Sequence, residues 1–156
     1  MAWPLDFDAR FASEGCPMCR PERAQETEHG IRVLAGRYAD AYLCRRGPSG
    51  ATWWSSGHRG HVAEPTDLSA EEAAGYFAEV LAVSDAVRRH FGARKVNDET
   101  LGTTAPHLHT HVTARYAEGD VNPGAPLPKD RDVTLEETRL RADAAALGRL
   151  LRPEGR

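Results

Sequence analysis

The sequence predicts an α+β fold: an antiparallel sheet of about five strands, one long helix packed on it, and a C-terminal helix. Three observations carry this. Short strand-like runs recur at Ile31–Ala35, Asp40–Arg45, Ala51–Ser56, from Arg94 to Asn97 and from His107 to Thr113. The first two are joined by Gly36-Arg-Tyr-Ala, close enough for a hairpin. The stretch from Ser69 to Phe91 carries apolar residues at helical spacing behind a capping signal.

The long helix opens on Ser69 with Glu72 three residues on, a capping box. Ala73, Phe77, Val80, Leu81, Ser84, Val87 and Phe91 form its expected core stripe. Gly92 ends it in a position that tolerates left-handed backbone, and Arg88, Arg89 and His90 in the last turn suit the helix dipole. Thr134 and Glu137 read as a second capping box. The helix behind them runs to about Leu151, with Leu140, Ala144, Leu147 and Leu151 on one face.

Between these elements, Gly47-Pro-Ser-Gly50 is a turn and Leu101–Pro106 a loop. Residues 117–133, rich in glycine and proline, form a long excursion. Trp53 and Trp54 are expected in the core or at an interface, with stacking on a base as the functional alternative. Neither an internal repeat nor a second domain is evident. The expectation is a single domain over 1–156: a lead-in at 1–15, a core at 16–116, and the excursion and helix at 117–156.

At 156 residues the chain is long enough to bury a real core. Its net charge of −3 gives no global basic surface for a nucleic-acid polymer or a membrane, so an anionic ligand must be held by local groups. The acidic N-terminus lacks the basic start of a signal peptide, and no apolar run approaches a membrane span; a cytoplasmic location is expected. Three cysteines do not make a disulfide framework. Cys16-Pro-Met-Cys19 reads as half of a metal site, as a redox pair or as chance spacing. No second C-x-x-C exists, so a complete site needs histidines or carboxylates as well. His58 and His61, in a glycine-flanked segment, are candidates.

The most informative stretch is Pro106-His-Leu-His-Thr-His-Val-Thr113. On a strand, His107, His109 and His111 would line one face at intervals of roughly 6–7 Å, with Leu108, Thr110 and Val112 pointing the other way. Two chemistries fit three aligned imidazoles: joint ligation of a catalytic metal, or nucleophilic attack on phosphorus by one ring assisted by a neighbour. Imidazole is largely neutral at pH 7 and nucleophilic without prior deprotonation. The Gly102-Thr103-Thr104 loop just upstream offers N–H and hydroxyl donors to a phosphate.

His107-Leu-His109-Thr-His111-Val-Thr resembles the H-φ-H-φ-H-φ-φ signature of the histidine triad (HIT) superfamily. The resemblance runs from Cys16 to about Arg115. It takes in the C-x-x-C, the histidine within Arg59–Val62, the Leu-Ser-Ala-Glu-Glu start of the long helix, and Asn97 ahead of the triad. It implies a HIT-like fold and a nucleotide hydrolase or nucleotidyl transferase acting at the α-phosphate.

By the same resemblance, His109 is the nucleophile that forms a nucleotidyl-histidine, and His111 bonds the phosphate or leaving-group oxygen. Asn97, Thr103 and Thr104 help to hold the phosphate. Zinc-bearing members further imply a structural Zn2+ on Cys16, Cys19, His61 and His107, with His58 the rival to His61. A homodimer is the common assembly.

The sequence departs from the pattern in places. Thr103-Thr104 stand where many members have a glutamine, and Ala114-Arg115 where Pro-Arg is common. Thr110 and Thr113 are less apolar than the signature prefers. The missing glutamine motivates an alternative, a nucleotide-binding or sensing protein without turnover. A metalloenzyme using the triad as catalytic ligands is a third reading.

Overall fold

The computed structural model describes residues 3–16, 18–19, 24–47, 52–57 (backbone only), 60–118, 124 and 133–152. Elements run α1 (Phe7–Phe11), β1 (Gly30–Ala35), β2 (Ala39–Cys44), β3 (Arg46–Gly47), β4 (Thr52–Gly57), α2 (Ala70–His90), β5 (Lys95–Thr100), β6 (His109–Arg115), β7 (Val133–Thr134) and α3 (Glu137–Leu150). The expected sheet is present: five antiparallel strands in the order β1-β2-β4-β6-β5. A separate ribbon, β3 with β7, was not legible in the sequence, because two-residue strands carry no periodicity.

Helices α2 and α3 cover one face of the sheet. Leu43, Val112 and Ala114 from the strands, and Leu108 just ahead of β6, meet Val80, Val83 and Val87 of α2 and Leu140 and Leu147 of α3 in one buried cluster. Each buried valine or leucine contributes about 1.5–3 kcal/mol through removal from water.

Ser69 caps α2 as the sequence indicated, its hydroxyl accepting from Glu72 N while the Glu72 carboxylate accepts from Ser69 N. Gly92 follows with φ +61. The buried stripe, however, is turned relative to expectation. Tyr76, Val80, Val83, Ser84 and Val87 face the sheet, whereas Phe77 and Leu81 are 41% and 64% exposed. Apolar residues occupy more than one side of this helix, so spacing alone does not select the inner one. Polar contacts to the sheet accompany the inner side. Tyr76 Oη and Thr110 Oγ1 are 2.9 Å apart, Thr110 Oγ1 and Thr100 Oγ1 another 2.9 Å, and Ser84 Oγ donates to Asp98. Thr110 thus departs from the apolar signature because it joins α2, β5 and β6 by hydroxyl contacts.

Other contacts lock the hairpin and the last helix. The Glu79 carboxylate accepts from the backbone N–H groups of Arg37 (2.7 Å), Tyr38 (3.1 Å) and Ala39 (2.7 Å), pinning the β1–β2 turn to α2. Glu79→Ala is therefore expected to lower the unfolding free energy by about 2–3 kcal/mol. In urea this appears as a lower midpoint at unchanged slope. Gly75 stands mid-helix because the Tyr38 ring lies against it; a Cβ there would sit 2.2 Å from Tyr38 Cε2.

The second capping box does not form. Thr134 is held in β7 opposite Arg46, and Glu136 caps α3 by accepting from Thr138 N and Arg139 N. The predicted inner face of α3 is correct: Leu140, Ala144 and Leu147 are buried and Leu151 half-buried. Residues 48–50, His58, the Trp53 and Trp54 side chains and most of the 117–133 excursion lie outside the described residues.

Candidate active site and metal centre

Two local structures bring the cysteines and histidines together. Around Cys16 the chain folds into tight turns, with Cys16 N bonded to Ser13 O and Cys19 N to Cys16 O (both 3.3 Å). Across from it, Leu108 N donates to Val62 O at 2.6 Å, fastening the His61 segment beside His107. That bond also shapes the histidine strand. The β4–β6 ladder ends at His109, opposite Ser56, so His107 lies ahead of the strand rather than on it. The three imidazoles therefore do not form one row. The rings of His107 and His61 meet edge to face at 5.3 Å, and those of His109 and His111 do so at 4.9 Å.

Cys16, Cys19, His61 and His107 present one donor atom each, all within 4.8 Å of one another. Cys16 Sγ lies 3.5 Å from His107 Nδ1; Cys19 Sγ lies 3.4 Å from the same nitrogen and 3.2 Å from His61 Nδ1. A tetrahedral ion with metal–sulfur and metal–nitrogen bonds of zinc length separates S from N by about 3.6 Å, so the spacing fits a four-coordinate site. His61 Nε2 lies 3.0 Å from the Phe11 carbonyl. A carbonyl only accepts, so Nε2 carries the proton and the Nδ1 lone pair faces Cys19. Burial above all, then the hydrogen bond and charge of Cys16, push the Cys19 thiol up to about 11. A bound cation reverses that order by stabilising the thiolates.

The second pair is built differently. His109 is buried, and its Nδ1 lies 2.6 Å from the His107 carbonyl oxygen. Nδ1 must therefore donate, which leaves Nε2 as the unprotonated nitrogen. In the β5–β6 ladder Asn97 is opposite Thr113 and Glu99 opposite His111. Directly opposed residues of an antiparallel pair share a face. Asn97, Glu99, His109, His111 and Thr113 thus occupy the face away from α2, whereas Thr110 and Asp98 bond to that helix.

Thr103 and Thr104 are exposed on the β5–β6 loop. The Thr104 carbonyl accepts from Arg10 Nη1 at 3.5 Å. Sequence reading missed the part played by α1, which supplies the Phe11 carbonyl behind His61 and Arg10 on the loop. A backbone acceptor leaves no side-chain signal. Glu99 carried no sequence signal either, since its place opposite His111 comes from the β5–β6 register.

Comparison with solved structures places this arrangement. A histidine triad protein from Bradyrhizobium japonicum matches 80% of this chain and 92% of its own, at 22% identity and a TM-score of 0.72. A histidine triad (HIT) protein from Sinorhizobium meliloti matches 85% and 97%, at 24% identity and a TM-score of 0.70. The chain has the histidine triad fold. A Zn-bound histidine triad family protein from Mycobacterium smegmatis matches 78% of this chain and 86% of its own, at 23% identity and a TM-score of 0.58. No protein-family model and no curated protein matches. The four residues of the Cys/His cluster could hold a metal ion, next to the strand that carries His109 and His111. No described helix is long and apolar enough to cross a membrane.

Proposed function

We propose that this chain is a histidine triad nucleotide hydrolase or nucleotidyl transferase, in which His109 attacks the α-phosphorus and carries the nucleotidyl group. The observation behind this reading is the 2.6 Å contact from His109 Nδ1 to the His107 carbonyl. It sets the neutral tautomer whose Nε2 is nucleophilic, on the same face as His111 and Asn97. His111 then bonds a phosphate or leaving-group oxygen, and Asn97, Thr103 and Thr104 supply further donors.

Cys16, Cys19, His61 and His107 would hold a zinc ion. Four protein ligands close the coordination sphere, so the ion supplies stability and leaves no position for water or substrate. The donor cluster also weighs against the reading in which the triad jointly ligates a catalytic metal, since His109 and His111 are outside it. A cytoplasmic, reducing setting would keep the Cys16 and Cys19 thiols available to such an ion.

A second copy of the chain is the proposed partner for the exposed Phe77 and Leu81 face of α2. Leu81→Lys should convert a dimer into a monomer by light scattering; an unchanged mass would remove that face from the assembly.

The function is tested by quenching the protein soon after mixing with a panel of activated nucleotides and measuring its intact mass. A gain of one nucleotidyl group, absent from His109→Ala, supports the reading and identifies the base. Binding with neither adduct nor product would favour the sensing alternative, which the Thr103-Thr104 pair in place of a glutamine motivates.

A further inference from the structure

One feature of the histidine face is not explained by adduct chemistry. Glu99 is directly opposite His111, so its carboxylate shares the face on which the leaving group would depart. Its neighbour Asp98 is on the other face, bonded to Ser84, and Glu99 is half-buried at the outermost strand of the sheet.

Among the described residues no cation pairs with this carboxylate, and Lys95, on the same face of β5, donates to the Val96 carbonyl. From Val96 to Pro106 there is no lysine or arginine. Arg10 reaches the Thr104 carbonyl but is paired with Asp6 at 2.6 Å. Arg32 is turned to the buried Asp40 at 3.9 Å. Arg115, itself buried, is four residues along β6 from His111, about 13 Å at strand rise.

We infer that Glu99 is a specificity-determining residue, a charge filter that selects nucleotides whose α-phosphorus bears a leaving group without phosphate and disfavours polyphosphate leaving groups. This rests on the adduct chemistry proposed above. In the first step the His109 Nε2–phosphorus bond forms as the bond from phosphorus to the leaving atom breaks. The leaving group takes that electron pair, and an amine also takes a proton from His111. In the second step a water oxygen displaces Nε2, its proton returns to His111, and a nucleoside monophosphate is released. An amine leaves this site uncharged. A polyphosphate leaves it carrying several negative charges past Glu99, with no cation in the loop to meet them.

The test compares kcat/KM for an alkylamine nucleoside 5′-phosphoramidate and a dinucleoside polyphosphate of the same base, in the wild type, Glu99→Gln and Glu99→Lys. One like charge at about 6 Å in a half-exposed setting corresponds to roughly tenfold in rate. The ratio of the two kcat/KM values is thus expected to move toward the polyphosphate by about tenfold in Glu99→Gln and further in Glu99→Lys. Turnover of both substrates with the ratio moving by less than about twofold would overturn the filter while leaving the His109 mechanism standing. Absence of both turnover and mass adduct in the wild type would overturn that mechanism, and the filter with it.

Discussion

His109→Ala is expected to lower turnover by roughly 10⁴-fold or more, with fold and metal content unchanged. The size follows from what the side chain does in the proposed mechanism: no other group supplies the attacking lone pair, so the covalent route is lost rather than slowed. The fold should survive because position 109 keeps its backbone pairing with Ser56, and because the hydroxyl contacts of Thr110 with Tyr76 and Thr100 lie on the other face. The metal should survive because its four donors do not include His109. Steady-state kinetics, far-UV circular dichroism and metal analysis on one preparation check all three points. Activity retained within tenfold of the wild type would refute His109 as nucleophile. Loss of metal along with activity would instead show that the two sites are not separable.

The second large effect is on stability. Cys16→Ser is expected to abolish stoichiometric zinc and to lower the unfolding free energy by several kcal/mol, since binding to a site formed only on folding adds to folding free energy. The ion would join three separated segments of the chain: the turn carrying Cys16 and Cys19, the His61 segment and the approach to β6 at His107. Without it, His107 loses the anchor that positions its carbonyl on His109 Nδ1, so activity should fall along with the melting temperature. Chelation of the wild type should reproduce both effects, and returning zinc should reverse them.

The pH dependence has a definite sign. Ligand thiols must shed protons to bind, and Cys19 is pushed up to about 11 in the metal-free site. Metal affinity therefore falls as the pH is lowered. An apoprotein that melts with the holoprotein would show that the ion contributes nothing to the fold.

Much of this molecule was determined locally. The α+β class, the β1–β2 hairpin, the Ser69 cap, the Gly92 stop and the inner face of α3 rest on residues within a few positions of one another, where backbone preference and spacing suffice. Cys16, Cys19, His61 and His107 stood out in the sequence because they offer donors that few other side chains can replace, and the structure brings all four together.

What tertiary structure alone decided concerns direction. Phe77 and Leu81 are as apolar as Val80 and Val87, and the side of α2 that is buried is the one on which Tyr76 and Ser84 have polar partners in the sheet. His107, His109 and His111 alternate perfectly in sequence, yet the bond from Leu108 N to Val62 O takes His107 off the strand and toward the cysteines. Thr134 looked like a cap until β3 claimed its backbone for a ladder. Glu99 acquires its place beside His111 only from the β5–β6 register. In each case the energy that selects the arrangement comes from a partner distant in the chain, and such pairings do not appear in local spacing.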